Sequence, residues 1–69
     1  MIKKNTKMVF EDGNFIEELV GGVPLSEGEV VNVKKNEEVV KYTVVKKTVD
    51  FIFEGNDQTA NIIYLLKKI

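Results

Sequence analysis

Residues 29–44 of the chain read EVVNVKKNEEVVKYTV, and this stretch decides the fold class. Two valine-rich runs flank a polar cluster at residues 35–38, which is typical of a hairpin turn. Pairing the runs places Val31 opposite Tyr42 and makes one face of the hairpin apolar. The other face is mixed and carries Val30, Asn32, Lys34, Lys41 and Thr43. A slip of one residue would mix the faces, so the alternation predicts this register, with the apolar face inward and the lysines in water.

The alternation of apolar and polar residues changes phase after Val44. Beyond it the residues of one face are Val45, Lys47, Val49, Phe51 and Phe53. The polar set becomes Lys46, Thr48 and Asp50. A phase change within a run of strand-forming residues predicts a bulge or a sharp bend. Residues 38–54 would form a strand of 17 residues, where ~5 to 6 is usual, so we predict two strands, or one strand bent enough to serve two sheets.

Asp12-Gly13 lies between two apolar runs and predicts an earlier hairpin. A two-residue loop would pair Phe10 with Phe15. A three-residue loop with the glycine in the left-handed conformation would shift the register by one residue and set Lys7 opposite Glu17. We favour the second register because it opposes unlike charges.

Residues 21–28 hold Pro24, the only proline, and three of the five glycines, so they predict an irregular loop. Loops of this length often carry function in small domains, but we interpret this one as a connection between sheets.

The last segment, residues 59–69, fits both a strand and a helix. The residues with helical spacing are Ile62, Leu65, Leu66 and Ile69. The β-branched pair Ile62-Ile63 favours a strand, and a helix of about ten residues is marginal without packing. We favour the strand, and keep a C-terminal helix over residues 59–68, which would make the fold α+β, as the alternative.

These elements predict one all-β domain over residues 1–69, a small five- or six-stranded antiparallel barrel or meander, with residues 1–6 as a flexible N-terminus. The layout resembles that of SH3-like small barrels over about residues 7–66. It consists of an opening hairpin, a Gly/Pro loop, a second hairpin and a further pair of strands. SH3 domains that bind proline-rich peptides use surface aromatics with a tryptophan. This chain has no Trp, so their binding residues are not transferred to it.

Missing residue types exclude several functions. The chain has no Cys, His, Trp or Arg, and Ser26 is its only serine. Disulfides, thiolate zinc sites and Ser-His-Asp or Cys-His catalysis are impossible within one such chain, so we expect no enzyme, no cofactor and no metal. Neither a membrane-spanning run nor a signal peptide is recognisable, so we expect a cytoplasmic protein without membrane contact. Abundant Lys, Asn and Ile favour an A/T-rich microbial or phage gene.

Two groups of charged residues are candidate binding surfaces, although a net charge of −1 gives no long-range attraction to nucleic acid. The candidate basic patch consists of Lys34, Lys35, Lys41, Lys46 and Lys47. We interpret it as a solvated face that discourages strand pairing, since Tyr42 falls on the face opposite to Lys41 and no Arg is present. The candidate acidic face, which would suit a basic partner, consists of Glu11, Asp12, Glu17, Glu18, Glu27 and Glu29.

We therefore expect a non-catalytic protein-interaction or assembly module. Its partner would be another protein, or a second copy joined through an edge strand such as residues 60–66. The alternative function is weak nucleic-acid binding by a small barrel that uses the lysine-rich hairpin.

Overall fold

A computed structural model describes residues 2–11 and 15–69, with only the backbone at Phe15, and forms one five-stranded sheet. In chain order the strands are β1 (Ile2–Phe10), β2 (Phe15–Val20), β3 (Val30–Lys35), β4 (Glu38–Glu54) and β5 (Asp57–Lys68). Their spatial order is β2-β1-β5-β4-β3, and the sheet curls into a half-barrel. The all-β prediction is confirmed. Because β1 and β5 run parallel, the prediction of a purely antiparallel sheet was wrong.

The parallel pair follows from the path of the chain. Residues 21–29 carry it from β2, at one edge of the sheet, to β3 at the opposite edge. Two reversals then bring the chain back through β4 to β5, which meets β1 running in the same direction. In an antiparallel meander, strands that are neighbours in the sheet are also consecutive in the chain. The crossing at residues 21–29 prevents that arrangement.

The second hairpin has the predicted register, with Val31 paired to Tyr42. Asn36 and Glu37 in its turn both have positive φ angles, 51° and 67°, as a type I′ turn requires. The valines of the apolar face pack against the core together with Tyr42, and the lysines of the opposite face are exposed, as predicted.

β4 is one continuous strand of 17 residues with a bulge at Val45. The phase change in the sequence therefore marks a bulge, as predicted, while the proposal of two strands or two sheets was wrong. An extended strand of this length spans about 53 Å. The molecule measures 43 × 23 × 19 Å along its principal axes, so β4 has to curve.

The C-terminal segment is strand β5, so the alternative helix over residues 59–68 is wrong. β5 is the central strand of the sheet, paired with β1 on one side and with β4 on the other. Residues 60–66 are therefore not an edge, and self-association cannot proceed through them while the sheet is intact. A central strand is apolar on both faces, which hides the period of two and explains the ambiguous sequence. Residues 2–6, expected as a flexible terminus, pair with β5 as part of β1.

β1 and β2 form the predicted first hairpin, but the favoured register was wrong. Phe10 pairs with Phe15, and Lys7 faces Glu18 rather than Glu17. The Lys7 Nζ lies 3.7 Å from Glu18 Oε1, so unlike charges meet in this register as well. Charge pairing could not distinguish the two registers because consecutive glutamates satisfy both. The turn at residues 12–14 lies outside the described residues.

One face of the sheet, here called the inner face, carries the core. Its central cluster consists of Phe10, Tyr42, Val44, Tyr64 and Leu66, and Thr6 and Ala60 are buried on the same face. Residues 21–29, the crossing loop, pass over this face, and Leu25 packs on the core from the loop. Gly21 and Gly28 turn the chain at the two ends of the loop with φ of 100° and 90°. The loop is thus a connection, as predicted, but it joins the two edges of one sheet rather than two sheets, and it is also the second layer of the fold.

Candidate functional site

The inner face continues beyond the crossing loop, where its side chains are open to solvent. Phe51 and Phe53 are 59% and 68% exposed, and their nearly parallel rings have centroids 6.3 Å apart. Val49, 39% exposed, extends this strip along β4, and Ile2, 36% exposed, lies on the inner face of β1 across Gln58 from Phe53. We call Ile2, Val49, Phe51 and Phe53 the open apolar patch. Contiguous apolar surface of this kind marks interaction sites on small proteins.

About half of β4 has no neighbouring strand on the side away from β5, because β4 is much longer than its neighbour β3. β3 pairs with β4 only from Glu38 to Thr43, and the crossing loop adds two hydrogen bonds to the backbone of Val44. Within residues 2–11 and 15–69, no backbone group hydrogen-bonds to residues 45–54 from this side. We call residues 45–54 the β4 edge. Such a row of unpaired N–H and C=O groups is a template for another strand.

The unpaired backbone groups of the β4 edge belong to alternate residues. β4 and β5 are joined by a two-residue turn, and the residues that flank such a turn, here Glu54 and Asp57, form a hydrogen-bonded pair. Hydrogen-bonded and non-hydrogen-bonded pairs then alternate along the ladder. The residues whose N–H and C=O groups point away from β5 are therefore Lys47, Val49, Phe51 and Phe53.

The charge along the β4 edge changes sign from one end to the other. On the outer face, opposite to the inner face, Lys46 stands beside the bulge and Glu54 beside the turn, with Asp50 between them. Lys47 adds a second positive charge at the bulge end. All four side chains are exposed. The edge is therefore positive at its start and negative at its end.

The candidate basic patch does not form one surface. According to their pairing partners, the outer face carries Lys34, Lys41 and Lys46, and the inner face carries Lys35 and Lys47. Tyr42 is buried in the core and cannot stack on a ligand. Lys47 Nζ lies 5.7 Å from the ring centroid of Tyr64, and Lys47 shares the inner face with Phe51 and Phe53.

The candidate acidic residues also divide between two places. At the β1–β2 end of the sheet lie Glu11, Glu17 and Glu18. Glu27 and Glu29 lie instead in the crossing loop beside β4, where the Glu29 carbonyl accepts a hydrogen bond from the Val44 N–H at 3.0 Å. Asp12 lies outside the described residues. The acidic residues therefore do not form a continuous face within the described part of the chain.

The outer face has a shallow depression lined mainly by polar side chains. Asn5 Nδ2 donates to Asn61 Oδ1 at 3.2 Å, and Asp50 pairs with Asn61 across β4 and β5. Across residues 2–11 and 15–69, no three carboxylates converge as they would around a metal ion. The same residues include no helix with the length and apolar character needed to cross a bilayer.

Comparisons of this chain with protein-family models, curated proteins and solved structures found no match. The candidate site therefore rests on the β4 edge and the open apolar patch. Sequence reasoning grouped Val49, Phe51 and Phe53 on one face but did not predict that this face is open. A usable signal was the length mismatch in the second hairpin, since the run before the turn at residues 36–37 is far shorter than the run after it.

Proposed function

We propose that this protein is a non-catalytic interaction or assembly module that binds another protein strand along the β4 edge. The observation that carries the proposal is an edge of ten residues, 45–54, with unpaired backbone groups beside the open apolar patch. An added strand would complete the hydrogen-bond ladder, and its inner-face side chains would pack against the flanks of Phe51 and Phe53.

The other free edges are protected in ways that the β4 edge is not. β2 and β3 have six residues each; β2 carries Glu17 and Glu18, and β3 ends in two lysines. Short length and charge are the usual devices that prevent edge pairing. The β4 edge has lysines only at its start, and from Thr48 to Phe53 it has a single charge. This difference supports the β4 edge as the binding site.

The scale of the molecule supports the same conclusion. The described residues expose 5221 Å². A standard interface takes ~800 Å² from each partner, about 15% of this surface, so even a smaller contact along one strand covers a noticeable share of it. A domain of this size has a thin core, so burial of apolar side-chain surface along the β4 edge would add noticeably to its stability.

Site-directed photo-crosslinking in the cells that naturally make the protein tests the proposal. A photoreactive phenylalanine analogue replaces Phe51 in one variant and Val20 in a matched control. Val20 is 96% exposed and lies at the opposite edge of the sheet. We expect a discrete protein adduct from position 51 and none from position 20. Equal adducts from both positions, or none from position 51, would contradict the proposal.

Weak nucleic-acid binding is the second candidate function, and one observation favours it. Phe51 and Phe53 expose parallel rings on the same face as Lys47, and Lys4 lies across Ala60 from Phe51. Aromatic platforms combined with lysines bind single strands in small barrels. The net charge of −1 and the absence of Arg weigh against it.

Fluorescence anisotropy with a labelled single-stranded oligonucleotide separates this candidate from the first. Binding through the inner face predicts an affinity that falls steeply with salt and that is lost in Lys47→Glu but retained in Lys34→Glu. Lys34 is an exposed lysine on the outer face of β3 and gives the same change of charge. Absence of salt-dependent binding at low ionic strength would eliminate the candidate.

The proposal also includes the setting expected from the sequence: an SH3-like layout, a cytoplasmic location and an A/T-rich microbial or phage gene. Two hairpins linked by a long loop support the first, although β1 and β5 pair in parallel. An experimental structure of the protein tests the layout, a fluorescent fusion tests the location, and the coding sequence tests the origin.

A further inference from the structure

We infer that the partner of the β4 edge is a second copy of this chain, paired antiparallel to the first about a two-fold axis at Asp50. This inference rests on the proposed function and names its partner. An isologous contact of this kind uses the same surface on both copies, so the edge has to be complementary to itself. Three properties of the β4 edge meet that requirement: its backbone groups, its inner face and its charges.

Self-pairing about Asp50 satisfies the unpaired backbone groups on both copies. It sets Val49 opposite the partner's Phe51 and Lys47 opposite the partner's Phe53. These are the residues whose N–H and C=O groups point away from β5, so each of these pairs can exchange two backbone hydrogen bonds. The pairing joins two half-barrel sheets into one continuous sheet.

The inner-face side chains gain partners in the same register. The contact of Val49 with the partner's Phe51 is a β-branched and aromatic pair, a type that stabilises antiparallel ladders. Lys47 meets the ring of the partner's Phe53, where an ammonium group is attracted to the aromatic face. The two open apolar patches thereby become one surface, and each exposed phenylalanine is partly covered by a side chain of the neighbouring copy.

The charges of the outer face argue for a second copy rather than an unrelated strand. A strand that is positive at its start and negative at its end is complementary to itself when the copies run antiparallel. In this register Lys46 lies opposite the partner's Glu54, and the pair occurs twice. Asp50 faces the partner's Asp50 at the axis and is the one like-charge pair in the proposed contact.

The proposed contact is small, so the dimer should be weak. Residues 46–54 span about 26 Å of strand, and such an edge buries less than a standard interface. Association should therefore be measured by sedimentation velocity at about 10 to 500 µM. We expect the wild-type chain to associate in this range in a concentration-dependent manner.

Charge reversal at the two ends of the edge tests the register. Lys46→Glu and Glu54→Lys each place like charges together twice, and each should weaken association about tenfold. An equimolar mixture of the two variants should restore it, because the mixed dimer opposes unlike charges at both ends. Lys34→Glu on β3 and Glu17→Lys on β2 are the matched controls; both residues are exposed, and the same changes of charge away from the β4 edge should shift the dissociation constant less than about twofold.

The two Asp50 side chains at the two-fold axis provide a test in which association is expected to become tighter. Asp50→Asn removes the like-charge contact and should tighten association at least about threefold. Circular dichroism of every variant checks that the sheet is intact. A wild-type chain that stays monomeric, equal weakening by Lys46→Glu and Lys34→Glu, no restoration on mixing, or no tightening by Asp50→Asn would each overturn the inference.

The crosslinking experiment separates failure of this inference from failure of the proposed function. An adduct of twice the chain mass from position 51 supports both. An adduct with a different protein, together with a monomeric wild-type chain, overturns self-pairing and leaves the proposed function standing. Absence of any protein adduct from position 51 overturns both.

Discussion

The hydroxyl group of Tyr64 ties the crossing loop to the centre of the sheet. It accepts a hydrogen bond from the Leu25 N–H at 2.9 Å and donates one to the Val23 carbonyl at 2.5 Å. One strand away, the Thr6 hydroxyl donates to the Gly21 carbonyl at 2.8 Å and accepts from the Val23 N–H at 3.2 Å. The loop backbone has no ladder of its own over the core, so these two side chains supply the partners that its polar groups need.

Replacing Tyr64 by Phe should lower the free energy of unfolding by about 1 to 3 kcal/mol. The ring would still fill its place in the core, but the Leu25 N–H and the Val23 carbonyl would lose their partner. Urea denaturation followed by circular dichroism measures the loss, and hydrogen exchange locates it. We expect faster exchange at the Leu25 amide; an unchanged exchange rate there would show that the hydroxyl does not hold the loop.

The turn of the second hairpin shows a mismatch between residue type and conformation. Asn36 tolerates its positive φ of 51°, since asparagine enters the left-handed region readily. Glu37 adopts a φ of 67°, where most side chains are strained and glycine is not. The hairpin register compensates for this strain, because it aligns the apolar faces of β3 and β4 over the core.

Replacing Glu37 by Gly should raise the free energy of unfolding by about 0.5 to 1 kcal/mol. The substitution creates an Asn-Gly pair, the preferred sequence of a type I′ turn. Glu37→Ala is the matched control, because it removes the same carboxylate and keeps the strained Cβ. Chemical denaturation of both variants should show a gain for glycine alone, and an equal gain for alanine would attribute the effect to charge.

The whole molecule is stabilised from one side of its sheet. Leu66 is fully buried on the inner face beneath the crossing loop, whereas its neighbour Leu65 is half-buried on the outer face opposite Lys46. A domain of 69 residues has about 3 to 10 kcal/mol of stability in total. The free energy of unfolding lost with a single inner-face side chain is therefore a large fraction of the total.

Replacing Leu66 by Ala should cost about 2 to 5 kcal/mol of the free energy of unfolding. Leu65→Ala removes the same atoms from the adjacent residue and should cost less than half as much, because that side chain already contacts water. Urea midpoints of the two variants measure the difference. Equal losses would mean that the core is not confined to the inner face.

Local patterns predicted much of the fold and little of the candidate site. The register of Val31 with Tyr42 and the bulge at Val45 could be derived because alternation and turn chemistry act between neighbouring residues. The register of the first hairpin could not, since Glu17 and Glu18 offer Lys7 the same charge. Exposure of Phe51 could not be predicted either, because it depends on where β3 ends and on which elements lie beside β4.

The sequence by itself determined that the chain forms strands, where most of them turn, and which side chains share a face. These properties arise from contacts over a few residues, in which side-chain alternation and the conformational preferences of glycine and asparagine dominate. Tertiary structure alone decided that the last strand lies at the centre, that β1 pairs with it in parallel, and that the β4 edge stays open. Strand order depends on which distant segments bury a common core, and several orders satisfy the same local pattern.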